Sequence, residues 1–227
     1  MKRFAVFAGA LAFAFLPSTN AQAELYVGGE LGYAIPNKFK SVTGGGSLSG
    51  ENASDLALKQ SLMYGARVGY FLPDSWLGFE VEAFSTNPHV KQQDITFTGA
   101  VPGTLTGVPG GHVRVTTVAL NVVARAKLRP LQPYVGVGPG VFFARVSDAF
   151  GIPGSTSDTA LGLNAFVGAR YFFNEQVALF AEYKYNRASF SFPADGLAAL
   201  LGLPPGAHVD GTYSANIFTA GVVYHFR

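Results

Sequence analysis

The chain has 227 residues, with 16 Lys+Arg, 14 Asp+Glu, no cysteine, 28 Gly and 20 Phe. It is 48% hydrophobic but only 13% charged, against about 25% charged in an ordinary soluble domain. Mean hydropathy is +0.25, which excludes disorder. The absence of a basic excess or patch argues against a nucleic-acid binder. Zero cysteine excludes a disulfide scaffold, a Cys-ligated metal and a thiol nucleophile.

Lys2 and Arg3 open a positive region, and Phe4 to Leu16 follows as a 13-residue apolar run. That run is too short to span a bilayer, which takes about 20 residues. Pro17 and the Ala21-Gln22-Ala23 site complete the pattern of a cleaved signal peptide over 1–23. Removing Lys2 and Arg3 leaves 14 basic against 14 acidic residues, so the mature chain from Glu24 is neutral.

Beyond residue 23 no apolar stretch reaches the length of a spanning helix. An exported, apolar chain without such a helix is left with the closed β-barrel, because lipid leaves no unpaired backbone group tolerated. Period-two alternation predicts strands over 25–35, 62–72, 76–85, 113–128, 133–146, 159–173, 177–189 and 212–226. In the first, Leu25, Val27, Leu31, Tyr33 and Ile35 share one face, and Tyr26, Gly28, Glu30 and Gly32 the other. The fifth contains Pro139, which predicts a weak strand with a bulge.

Alternation alone leaves the direction open, since a soluble barrel alternates equally well. Three features point the apolar face outward. The polar face is crowded with glycine, including Gly28, Gly65, Gly69, Gly136, Gly168 and Gly221, which suits a narrow interior. The apolar face ends in aromatics such as Tyr33, Tyr171, Phe173, Tyr224 and Phe226, the pattern of interfacial girdles. Connections alternate between short turns (73–75, 129–132, 174–176) and long loops (36–61, 86–112, 147–158, 190–211). The fold expected is therefore all-β, an eight-stranded antiparallel up-and-down transmembrane β-barrel over 24–227, with short turns in the periplasm and long loops outside.

The chain resembles the small eight-stranded outer-membrane barrels of the opacity-protein and OmpA transmembrane-domain type. The residues that carry the likeness are Leu25-Tyr26-Val27-Gly28-Gly29 after Ala23, and the run from Leu131-Gln132-Pro133-Tyr134 to Gly140. Gly168-Ala169-Arg170-Tyr171 and the closing Gly221-Val222-Val223-Tyr224-His225-Phe226 complete it. The resemblance implies an outer-membrane location, contact with lipid and lipopolysaccharide, and a terminal aromatic, Phe226, read by the barrel-assembly machinery. Arg227 follows Phe226 and departs from the family ending. No peptidoglycan-binding role is expected, since Phe226 closes the last strand one residue before the sequence ends.

The inward face collects Glu30, Glu80, Glu82 and Glu182 against Arg67, Arg125, Arg170 and Lys184, with Lys127 as a further candidate. Buried charges must pair, so a cross-strand salt-bridge network is expected. Glu80 and Glu82 are expected beside Arg125, and Glu182 beside Arg170. The network reads as a plug, or, as relatives imply, as a gate that passes small ions. His89, His112, His208 and His225 lack the Ser and acid partners of a hydrolase, and no metal cluster or cofactor motif stands out. Gly136 to Gly140 is a lumen-facing row of glycines without the helix a phosphate loop needs. The apolar run Leu197–Leu203 reads as a short helix on the barrel mouth or as a surface contact. The function expected is a non-enzymatic, monomeric envelope protein, structural or surface-interacting through its loops, with a narrow porin-like channel as the alternative.

Overall fold

The computed structural model describes residues 24–50, 52–99, 102–147, 154–195 and 204–226. The signal segment 1–23, the apolar run 197–203 and Arg227 lie outside the described residues.

Eight long strands carry the wall. They are β1 (Glu24–Pro36), β4 (Ser61–Phe71), β5 (Leu77–Thr86), β8 (His112–Arg125), β9 (Leu131–Ser147), β10 (Ser155–Phe172), β11 (Val177–Pro193) and β12 (His208–Phe226). Each pairs antiparallel with the next, and β12 pairs back onto β1, from Leu25↔Phe226 to Pro36↔Ala215. The ring is closed, so no strand of the wall is left as an edge.

The apolar face points out. Leu62 is 73% exposed and Leu161 78%, whereas the alternate residues Met63 and Glu30 are 1% and 4% exposed. A soluble barrel has the reverse arrangement, and only a hydrocarbon surround makes this exterior stable. The inward glycines make room for rings on neighbouring strands. A Cβ at Gly168 would come within 2.8 Å of the Tyr134 hydroxyl, and one at Gly78 within 2.6 Å of the Phe71 ring. At Gly69 and Gly136 a Cβ would run into the rings of Tyr26 and Phe166.

The short turns are locally specified. Asn174 accepts backbone N–H bonds from Gln176 and Val177 at 2.9 and 2.7 Å, an Asx turn that folds β10 onto β11. Asp74 takes a positive φ of 50° in the β4–β5 turn, a conformation that Asp tolerates better than most residues.

Two expectations fail here. Pro139 causes no bulge, because the β8–β9 register is the same at Ala119↔Gly140 and Val122↔Val137, and Pro139 sits opposite Leu163 in an unbroken β9–β10 ladder. The missing N–H removes a rung without adding a residue. The loops 36–61 and 86–112 are not plain loops. They contain β2 (Lys40–Gly45), β3 (Asn52–Ala53), β6 (Gln93–Thr98) and β7 (Gly103–Val108), which extend the sheet from β12 in the order β2, β3, β6, β7. A small core of Val42, Leu56, Ile95 and Val108 holds this extension together.

The alternation also inverts toward the long-loop end. On β8, Val113 and Val115 turn inward while Arg114 is exposed. On β9, Ala144 and Val146 flank exposed Arg145, and on β11 Phe190 and Phe192 flank exposed Ser191. Apolar-in and polar-out is the pattern of a wall standing in water.

Candidate functional site in the barrel lumen

The polar residues meet at mid-lumen because one register runs round the ring. Arg67 on β4 lies directly opposite Glu82 on β5, and Glu80 opposite Asn121 on β8. Glu182 and Lys184 are consecutive inward positions of β11.

Arg67 is the centre. It contacts Glu82 at 2.9 Å, Glu182 at 2.9 Å, Glu80 at 3.5 Å, and Glu30. Its guanidinium also lies 4.4 Å from the centroid of Phe180. Lys184 Nζ bonds Glu30 at 2.9 Å, Glu182 at 3.2 Å, and Glu82. β5 and β11 stand four places apart in the eight-strand ring. They face each other across the lumen, so the Lys184–Glu82 pair spans the barrel. Neutral donors complete the acids. Tyr26 donates to Glu80 at 2.7 Å and Tyr134 to Glu182 at 2.8 Å, while Asn164 donates to Glu82 at 3.2 Å. The amide of Asn164 is itself held by Asn121 and Asn186.

All these ionic side chains are shut off from solvent. At such depth a missing partner costs far more than a pair contributes. The carboxylates of Glu30, Glu82 and Glu182 offer ligand atoms within 4.8 Å of one another. Lys184 and Arg67 each already contact all three, so the position a metal ion would take is filled by protein cations.

The eight expected residues are all turned inward, but two pairings differ. Arg125 does not meet Glu80 or Glu82. It binds Glu24 at 2.6 Å and stacks 3.6 Å over Phe71. The β5–β8 register explains this, because Leu77 is opposite Ala124, which puts Arg125 at the short-turn rim, well below Glu80. Glu182 does not meet Arg170, which approaches Glu80 at 3.6 Å and lies 4.2 Å over the Tyr26 ring. Lys127 lies past the end of β8 and is exposed.

A second cluster was not anticipated. Glu24 joins Arg125 and also lies 2.6 Å from His225 Nδ1. Carrying the first strand's alternation back by one residue puts Glu24 on the same face as Tyr26 and Glu30, so the signal was present. Phe226 ends β12 on the outer face, 45% exposed, with its ring 5.0 Å from that of Tyr224.

A closed eight-strand ring, an apolar exterior and a charged, side-chain-filled interior define a small transmembrane β-barrel. The chain belongs to the family described as "Outer membrane protein beta-barrel domain", which matches residues 5–226. No curated protein sequence matches it. Among solved structures it is similar to Neisserial surface protein A, at 17% identity over 89% of this chain and 97% of that one, with a TM-score of 0.53. It is also similar to the outer membrane protein AlkL in lipid bilayers, at 16% identity over 95% of each chain, with a TM-score of 0.52. Ail of Yersinia pestis matches at 13% identity over 90% of this chain and 98% of that one, with a TM-score of 0.46. These likenesses are likenesses of fold.

Proposed function

We propose that this protein is a non-enzymatic, monomeric barrel of the cell envelope, sealed across its lumen, which meets its surroundings through the long-loop end. The carrying observation is the network of Arg67 and Lys184 with Glu30, Glu82 and Glu182, which bridges opposite walls with solvent-excluded side chains. An eight-stranded barrel is just wide enough for side chains to fill, and here aromatic layers close it above and below that network.

The long-loop end supports the interaction role. Its sheet extension, β2–β3–β6–β7, is held by its own core, so it offers a formed surface to an extracellular ligand. Lipid and lipopolysaccharide cover the apolar exterior, and Phe226 serves as the assembly signal. Export proceeds through cleavage after Ala23. His225 lies against Glu24, His89 against His112 and His208 beside Asp210, contacts that support a non-catalytic role.

Planar-bilayer recording tests the sealed lumen. The expected result is no sustained open channel, and a stable open conductance would make the protein a narrow pore instead. Lipid A from expressing cells should keep its mass, and any deacylated or newly acylated species would overturn the non-enzymatic reading.

A further inference from the structure

Above the charged network the lumen changes character. Met63, Phe84, Phe142 and Ile217 form a buried apolar layer, whose Phe84 ring borders the network, 5.0 Å from Lys184 Nζ. Over this floor lies a cavity of about 340 Å³ at the long-loop end. Phe39, Leu56, Leu58, Val113, Phe190 and Phe192 are among its walls, and among the described residues no charged side chain lines it. The rings of Phe190 and Phe192 stack at 5.6 Å, and Phe39 lies 6.3 Å from Phe192. Its rim, at Pro109, Ser155 and Pro193, is exposed.

This is where the alternation inverts, so the barrel wall there is built like that of a soluble ligand-binding barrel, apolar inside and polar outside. Eight-stranded barrels of that kind hold one small ligand. Among the described lining residues only Ser155, Thr156 and Tyr213 carry a polar side-chain group, and a stable buried water needs two to four polar partners, so the predominantly apolar walls favour an apolar filling. The volume is about twice the ~150 Å³ that accommodates benzene, and it falls within the usual range for small-molecule pockets. Because the floor is closed, the cavity is a blind pocket with no passage through it.

We propose that this cavity binds an uncharged hydrocarbon of roughly a dozen carbon atoms, either a free hydrophobic molecule or the end of a lipid acyl chain. The wall composition selects against charge, and the aromatic stack offers flat contact to methylene groups.

The test uses the full mature chain, refolded in lipid nanodiscs and deuterated except for its Ile, Leu and Val methyl groups. In one arm the lipid chains are deuterated and protonated n-decane is added. Methyl signals of Leu56, Leu58, Val90, Val113 and Val115 should shift and saturate, with cross-relaxation to decane. Lipid-facing Val27, Val68 and Val135 should change without saturating. In the second arm the lipid is protonated and no decane is present. Cross-relaxation from the pocket methyls to lipid chains there identifies the membrane as the source. Val113→Trp should abolish the saturable shift, while the signals of the charged-network half of the barrel stay in place. If neither arm shows cross-relaxation to hydrocarbon, or if the pocket methyls instead contact Leu197, Leu200 or Leu201 of the chain itself, the proposal fails. Neither result depends on whether the barrel conducts.

Discussion

Arg67 has four carboxylates within 4 Å and no solvent to replace it. Its substitution by Met strands at least one buried charge, and such a break costs about 3–5 kcal/mol. Arg125→Met should cost much less, because Glu24 keeps His225 as a partner and lies nearer the rim. Urea unfolding of the refolded barrel in lipid would compare the two, and equal small effects would contradict the central role of Arg67. Space is as sharply specified as charge. Gly168→Ala places a methyl against Tyr134 and the Ala181 carbonyl, and overpacking of this kind costs about 1–3 kcal/mol. Outward Gly29 has nothing within 4 Å of its would-be Cβ, so Gly29→Ala should stay within about 0.5 kcal/mol of the parent in the same titration. The identities of the inward charges were readable from alternation, since period two places Glu80, Glu82 and Asn121 on the polar face. Their partners were not, because partners depend on the offset between strands, and Arg125 fell away from Glu80 for that reason.

Each wall strand is divided along its length. On β8, Leu120 faces lipid at 55% exposure, while Asn121 beside it is fully buried in the lumen. Leu120→Arg puts a guanidinium into the hydrocarbon near mid-wall and should cost about 2–4 kcal/mol. Leu161→Arg, at the upper part of β10, should cost less, as the penalty falls toward the interface. Refolding efficiency in vesicles measures both, and equal penalties would contradict the placing of Leu120 closer to the bilayer centre than Leu161. Strand existence was legible because a lipid-facing row enforces strict alternation over many residues. The reversal at Val113, Val115, Phe190 and Phe192 was legible in principle. A single polarity does not hold along the whole strand, because the surroundings of the wall change partway up.

At the scale of the molecule, the ring and its sheet extension are separable. Among the described residues the β6–β7 hairpin forms its strand pairing outside itself with β3 alone, and it meets the wall through side-chain packing at Val209 of β12. Deleting residues 93–108 should leave a barrel that still shows the heat-dependent electrophoretic shift of a folded outer-membrane protein. Loss of that shift would mean that the extension contributes to closure. The extension was invisible to pattern reading because its strands are two to six residues long, too short for a periodic signal, and because they pair between loops remote in sequence.

The local alphabet of this chain was sufficient for a closed barrel with lipid outside. Alternation, glycine placement and turn chemistry are properties of adjacent residues, and the solvent on each face acts on them directly. Closure of β12 onto β1, the stagger that gives Arg67 rather than Arg125 to the central acids, and the apolar pocket over Phe84 depend on residues far apart in the chain. Such placements follow from the tilt and register of the whole ring, which no single segment encodes.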